Sequence, residues 1–247
     1  MQLVTMGLVL RQTKVGEADS ILSILTPGRG VITASAKGSL RLKNKLFSGC
    51  GLFCYSEFTL FEGRTMFRVD EAQVKNSFFG LRQSVEGTAL AMYMAEMAAA
   101  LAPVGEEADN QLRLLLNSLY LISEQKKPLH QIKAVYELRT ICAAGYMPDI
   151  LCCRGCGRYD GTPFYFDPAG GHLLCESCAA AEGKRPNLDP AALTALRHIA
   201  LMEDKKIFAF SIKDESMELL GQAAESYALG RLDKPMKSLA FLKAMLG

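Results

Sequence analysis

Apolar residues in the first 80 positions recur at every second residue or in short unbroken runs, the spacing of strands rather than helices. The stretches 6–11, 20–25 and 30–35 are of this kind, and Thr26-Pro27-Gly28-Arg29-Gly30 supplies turn chemistry between the latter two. Further on, 58–61 and 66–69 flank Glu62-Gly63-Arg64, which has the makings of a hairpin loop. Five short strands with no helical period between them predict a small closed β-barrel of the OB-fold type, and an SH3-like barrel would share the same pattern.

Past residue 81 the apolar period lengthens to the helical one. Segments at about 84–102, 106–124 and 129–144 are bounded by Pro103-Val104-Gly105, Lys126-Lys127-Pro128 and Gly145-Tyr146-Met147-Pro148, breakers placed where helices end. Three more follow at about 188–203, 214–229 and 235–246, with Asp189-Pro190 and Asp233-Lys234-Pro235 as starts. Rich in Ala, Met and Leu, these helices predict one bundle. Met92, Met94 and Met97 read as core filler rather than sulfur ligands. The apolar stretch 88–104 is short for a membrane span and carries Glu96 near its middle, so it reads as a core helix. The fold class is therefore α+β and multi-domain: an OB-fold barrel over 1–80, then an α-helical domain over 81–247 with an insertion at 149–184.

That insertion has the most specific chemistry. Cys153-x-x-Cys156 and Cys175-x-x-Cys178 are separated by eighteen residues, inside the window of tetrahedral zinc sites. Two intervening residues let one tight turn aim both sulfurs at the same ion, and Gly157 stands where such a turn needs a permissive backbone. Four protein ligands leave no open coordination position, so a single structural Zn2+ is expected. Phe164-Tyr165-Phe166, a turn at Pro168-Ala169-Gly170-Gly171, and Leu173-Leu174 read as a hairpin between the pairs, making the whole a zinc ribbon. Cys152-x₃-Cys156 is a competing register, although a two-residue turn favours Cys153; His172 reads as a hairpin-turn histidine. Redox chemistry would need only one C-x-x-C pair, and disulfides an oxidising compartment. The first residues lack the basic start and apolar run of a signal peptide, which points to a reducing cytoplasm with Cys50, Cys54, Cys142 and Cys152 as ordinary thiols.

A net charge of +2 conceals an asymmetry. Residues 1–45 hold Arg11, Lys14, Arg29, Lys37, Arg41, Lys43 and Lys45 against only Glu17 and Asp19, whereas the other 202 residues carry 21 basic and 24 acidic groups. Positive charge gathered at one end suits a surface that meets a polyanion. Its densest part is 37–46, where cations fall at odd positions and Leu40, Leu42 and Leu46 at even ones. Extended, the segment would present a cationic and an apolar edge; as a loop, it would be a mobile basic flap. Either form suits phosphate contact without base reading, and a solvated edge strand guarded by lysines would give the same pattern. Phe47, Phe53, Tyr55 and Phe58 are the aromatics at hand for stacking on bases, most of them expected in the core.

Catalytic motifs are missing: there is no G-x-x-x-x-G-K-[ST], no G-x-G-x-x-G after a strand, no G-x-S-x-G and no H-E-x-x-H. His130, His172 and His198 sit in no catalytic context, and the H-x-E partner of zinc deaminases is absent. No enzyme is expected. A cysteine nucleophile at Cys50 or Cys54 would lack a visible base. The alternative to a nucleic-acid binder is a zinc-ribbon scaffold or transcription-associated protein that uses its helices for protein contacts.

Val9-Leu10-Arg11, Gly16-Glu17-Ala18-Asp19, Leu25-Thr26 and Ala36-Lys37-Gly38 follow one another in the first region. Downstream, Gly145-Tyr146-x-Pro148 precedes Cys153-x-x-Cys156-Gly157, and Gly170-Gly171 precedes Cys175-x-x-Cys178. In this order, and over essentially its full length, the chain resembles the RecO family of bacterial recombination mediators. The resemblance implies binding of single- and double-stranded DNA and annealing of complementary strands, without nucleotide hydrolysis. It implies engagement of single-strand-binding protein and, with RecR as partner, help for RecA in replacing that protein on single-stranded DNA. DNA contacts are implied on the OB domain, which ranks Lys37, Arg41, Lys43 and Lys45 first and Arg11, Lys14 and Arg29 second. The acidic, phenylalanine-ended tail of single-strand-binding protein is implied to dock on the helical part, where Lys126, Lys127, Lys133 and Arg139 qualify as flanking cations. Some members of the family lack the zinc cysteines, so the metal is not essential to the activity. A cytoplasmic, nucleoid-associated protein without membrane attachment is the corresponding expectation.

Overall fold

The first strand is long enough to serve two partners. In the computed structural model, which describes residues 1–103 and 105–246 apart from the side chain of Leu246, β1 spans Gln2–Val15. Val104, part of the expected break after the first helix, and Gly247 lie outside the described residues. Residues 2–8 of β1 pair with β4 (Tyr55–Phe61), and residues 8–15 pair with β2 (Asp19–Thr26). Gly7 sits at the changeover, where a Cβ would come within 2.5 Å of Ile24 Cγ2, so a side chain there would hold the strands apart. β3 (Gly30–Ala36) runs antiparallel to β2, and β5 (Phe67–Asn76) pairs antiparallel with β4 and parallel with β3. The resulting order, β1-β2-β3-β5-β4 and back to β1, is that of an OB-type barrel. Its β3–β5 seam is thin, with only Ala34–Phe67 and Ser35–Arg68 in register, so the ring is barely joined there.

Alternate residues face inward: Leu22 and Ile24 from β2, Ile32, Ala34 and Ala36 from β3, Phe58 and Leu60 from β4. Leu46 and Cys50 join this core from the β3–β4 connection, one helical turn apart, with the Cys50 N–H donating to the Leu46 carbonyl at 3.1 Å. The connection therefore plugs the barrel with its apolar residues and leaves its cations outside.

A 3₁₀ turn at Phe79–Gln83 leads into α1 (Val85–Leu101) and α2 (Asp109–Ser123). Next come α3 (Leu129–Ala143), β6 (Asp149–Cys153), β7 (Phe164–Asp167), β8 (His172–Cys175) and α4 (Glu176–Ala181). The chain ends with α5 (Pro190–Leu201), α6 (Asp214–Leu229) and α7 (Lys237–Leu246). Asp189 caps α5, accepting from the Ala192 N–H at 2.7 Å, with Pro190 in the first turn where no N–H is needed.

Residues 1–124 and 236–247 make one compact unit, and residues 125–235 a second. The helices are thus divided, with α1, α2 and α7 in the first unit and α3 to α6 in the second. In the first unit α1 is buried almost all round, with Leu90, Tyr93, Met94 and Met97 fully covered, while Met92 is exposed instead of filling the core. Glu96 explains the charge in this apolar helix. Its carboxylate accepts from the N–H groups of Lys237 and Ser238, at 3.1 and 2.8 Å, and from the Ser238 hydroxyl, capping α7 and drawing it into this unit. In the second unit α3 packs on α6, where the Lys133 ammonium meets Glu137 and Glu225, both at 2.7 Å.

Candidate metal centre and nucleic-acid face

The ribbon is a three-stranded sheet in the order β6-β8-β7, with β7 and β8 as the antiparallel hairpin and β6 parallel to β8. Cys153 ends β6, Cys175 ends β8 and Cys178 lies in the first turn of α4. Their sulfurs and that of Cys156 all lie within 4.8 Å of one another, with Cys156 and Cys175 at 3.5 Å. Zinc–sulfur bonds of about 2.3 Å in a tetrahedron place sulfurs about 3.8 Å apart, so the cluster has the dimensions of a four-thiolate site. Gly157 adopts φ +74°, as the tight turn requires, and a Cβ on Gly155 would press within 3.1 Å of Cys178 Sγ. Cys152 is outside the cluster, and so is His172, whose Nδ1 lies 3.9 Å from Asp167 Oδ2.

The four thiols perturb one another's ionisation. The Ser177 hydroxyl and the Cys178 N–H pull Cys175 down to about 6, while hydrogen bonding with Cys175, Cys156 and Cys153 pushes Cys178 up to about 12. Thiols this close cannot all ionise without a positive charge among them, and a metal ion held there would supply it. The Cys175 N–H already donates to Cys153 Sγ at 3.2 Å, support typical of a thiolate ligand.

An arginine that sequence reasoning missed carries the first cysteine knuckle. Arg197, buried on α5, donates from Nε to the Ile150 carbonyl at 2.7 Å and from Nη2 to the carbonyls of Leu151 and Tyr159 at 2.8 and 2.7 Å. Its guanidinium also lies 4.1 Å from the Tyr159 ring centre. From α6, the Tyr227 ring meets Phe166 edge-on at 5.5 Å, and its hydroxyl donates to the Tyr146 carbonyl at 3.0 Å. The signal was present in the sequence: position 197 falls on the apolar stripe of Leu193, Leu196 and Ala200, where a lone arginine must find partners.

The basic segment is a loop rather than an extended edge, so of the two forms expected only the extended one is corrected. It is a chain of turns in which Arg41 N–H donates to Gly38 O at 3.0 Å, Asn44 N–H to Arg41 O at 2.9 Å and Phe47 N–H to Asn44 O at 3.0 Å. It is tied to the start of β2, with Gly38 N–H on Asp19 Oδ1 at 2.7 Å and Leu40 N–H on Ala18 O at 2.9 Å. Lys37, Arg41, Lys43 and Lys45 are all exposed. Lys45 lies 3.3 Å from Glu71 in a solvent-exposed pair, a weak restraint. Among the described residues, Lys37, Arg41 and Lys43 meet no carboxylate.

Lys14 reaches the same end of the barrel, since it pairs with Ser20, which pairs in turn with Ala36 beside Lys37. Arg11 lies three residues back on β1, about 10 Å along the strand. Arg29 stands apart. It occupies the turn at the far end of the β2–β3 hairpin, about 20 Å away, with its guanidinium 6.0 Å from the Phe67 ring centre. Of the nearby aromatics, Phe58 and Phe53 are buried, Tyr55 is half-buried and Phe47 is exposed.

Two cations considered for a peptide tail are engaged internally. Lys133 sits in its carboxylate pair, and Arg139 donates to the Ala200 carbonyl at 2.8 Å and to Asp204 at 2.7 Å. Burial and the neighbouring Cys54 push Cys50 up to about 12, which removes it as a nucleophile. Among the described residues, no helix is long and apolar enough to cross a membrane.

Comparison with known proteins agrees over the whole length. Residues 1–78 match the family described as Recombination protein O N terminal, and residues 82–240 match Recombination protein O C terminal. Curated relatives named DNA repair protein RecO include one from Acetivibrio thermocellus, 32% identical over 243 residues, covering 98% of this chain and 96% of the relative. One from Dehalococcoides mccartyi is 32% identical over 244 residues, covering 98% and 95% respectively. Another, from Alkaliphilus metalliredigens, is 28% identical over 230 residues, covering 93% and 94%.

Proposed function

The chain belongs to the RecO family of DNA repair proteins, and from that premise we propose that it is a non-catalytic recombination mediator working on DNA in the cytoplasm, at the nucleoid. It holds single and double strands by their phosphates and anneals complementary strands. With RecR it helps RecA replace single-strand-binding protein on single-stranded DNA. The observation that carries the DNA-binding reading is the fixed turn segment, whose exposed Lys37, Arg41, Lys43 and Lys45 stand beside Lys14 at one end of the barrel. Arg11 extends this face, and Arg29 belongs to a separate part of the barrel.

Annealing needs two strands to approach while their base edges stay free. Lysines that neutralise phosphate lower the repulsion between strands and raise the rate of encounter, and they leave the hydrogen-bonding edges uncovered. A protein that gripped the bases by those edges would block pairing. Because the loop is anchored through Leu46 and Cys50 in the barrel core, its charges are already in place before DNA arrives.

In the ribbon, Cys153, Cys156, Cys175 and Cys178 would hold a structural zinc ion. Bound there, zinc supplies the charge that lets four thiolates coexist, and its binding is worth about 10–16 kcal/mol in small peptides. The role of these cysteines is to fold the ribbon. For the tail of single-strand-binding protein, Lys126, Lys127, Lys133 and Arg139 are the eligible cations, of which Lys133 and Arg139 also form internal pairs.

The test is strand annealing with metal-replete protein, with and without single-strand-binding protein on the strands. Accelerated annealing in both conditions, suppressed by rising salt, is the expected result. A protein that binds no DNA even at low salt would sink this reading and favour the zinc-ribbon scaffold.

A further inference from the structure

Leu42 is 81% exposed, the one apolar side chain of the basic segment left almost wholly in water. Leu46 is buried in the barrel core and Leu40 is half-covered. A single exposed leucine is ordinary on a protein surface, and the setting gives this one its meaning. The Asn44 N–H to Arg41 carbonyl bond brackets it, so Leu42 and Lys43 occupy the tip of a closed turn. Arg41 and Lys43 flank it, both exposed, and Phe47, exposed by 41%, follows one turn later. The tip therefore presents an apolar centre between two cations on a hydrogen-bonded frame. A complementary ligand has anionic groups along its length and flat apolar faces between them.

We propose that Leu42 packs on the faces of unpaired nucleobases in a DNA strand whose phosphates Arg41 and Lys43 neutralise. The proposal rests on the reading of this loop as the DNA-binding face and deepens it. Cations alone bind single and double strands without regard to their bases. In a duplex the base faces are covered by their neighbours, and reaching them requires unstacking, as it does for the apolar wedges of architectural proteins. Unpaired bases offer those faces freely. An aliphatic side chain touches the face and leaves the pairing edge open, so the held strand stays competent to anneal. Leu42 thus gives the loop a preference for single strands that its lysines cannot supply.

The full-length, metal-replete protein is titrated with two labelled probes of equal length, a mixed-sequence oligonucleotide and an abasic deoxyribose-phosphate strand. Leu42→Ala is expected to bind the base-bearing strand about three- to tenfold more weakly, the scale of losing part of a buried leucine contact. Its affinity for the abasic strand and its salt slope should equal those of the native protein, because no charge has changed. Leu42→Phe, which keeps an apolar face, should bind the base-bearing strand at least as tightly as the native protein. Native-like binding of Leu42→Ala to both probes would overturn the assignment and leave Leu42 to a protein partner. An equal loss on both probes would also overturn it, since the side chain would then act through loop shape. A native protein that binds neither probe at low salt would overturn the cationic reading beneath it.

Discussion

Replacing Arg197 by alanine tests whether α5 carries the first cysteine knuckle. The side chain is 8% exposed and its guanidinium donates to three carbonyls, those of Ile150, Leu151 and Tyr159. A hydrogen bond from a charged donor contributes about 1.5–3 kcal/mol, and three on one group do not add. Leu151 and Tyr159 are exposed residues, so water can reach much of what truncation leaves open there, whereas Ile150 is buried. One bond lost outright, together with the contact on Tyr159, gives a destabilisation of about 2–4 kcal/mol. Arg197→Lys should recover less than half, because an ammonium cannot reproduce a planar fork aimed at three carbonyls. The chain has no tryptophan, so unfolding is followed by far-UV circular dichroism in urea. Proteolysis within 149–184 and metal release to a chromogenic chelator report the ribbon itself. Faster cleavage and faster release, with the barrel still resistant, are expected. If both rates match the native protein, Arg197 does not hold the ribbon and the reasoning fails.

On the proposed DNA face, Lys43→Ala/Lys45→Ala should lessen the slope of log affinity against log salt by about 1.4, at about 0.7 per single-strand phosphate contact; an unchanged slope removes both lysines from the interface. Cys156→Ser should lose its metal and become protease-sensitive between 149 and 184 with the barrel intact, and a fully folded, metal-loaded variant would refute the ligand assignment. Burial would raise the Glu96 carboxyl, but the Ser238 hydroxyl, the N–H groups of Ser238 and Lys237 and the Lys237 charge outweigh it and hold the group below its ordinary value. The stability this clip contributes is therefore complete above the unfolded carboxyl value of about 4.3 and is lost as pH falls through the depressed folded value. Hydrogen exchange in α7 should rise across that interval in the native protein and already be fast at neutral pH in Glu96→Ala; pH-independent protection of α7 would refute the cap.

The parts of this fold that were legible in the sequence are those fixed by local periodicity. The helix read at 214–229 is α6 to the residue, and the hairpin around Gly170-Gly171 starts at Phe164 as read and differs by one residue at its other three strand ends. Longer-range relations were hidden. β1 was read only at 6–11 because its outer residues pair with two different strands and do not alternate with one core. Alternating charges in 37–46 imitate a pleat, but Leu46 and Cys50, four apart, were the better guide to a coiled plug. The division of the helices could not be foreseen from their amphipathic faces, since it turns on Glu96 meeting residues more than 140 positions away. For the site, spacing was enough to bring four cysteines together, while Arg197 carried a visible but unread signal.

Charge separates the roles proposed for the two sites. Residues 149–184 hold Arg154, Arg158 and Lys184 against Asp149, Asp160, Asp167, Glu176 and Glu182. Four thiolates around one dication would add a further net charge of about −2. A ribbon of this charge repels phosphate, whereas residues 1–45 carry seven cations against two acids. The basic loop also folds with the barrel, through Leu46 and Cys50, and shares no core residue with the four ribbon cysteines. With zinc in the ribbon as proposed, stripping it with a chelator should therefore leave the salt slope of DNA binding unchanged even as the ribbon becomes open to proteases. A slope that falls by about 0.7 or more on metal removal would place phosphate contacts on the ribbon and defeat the charge argument.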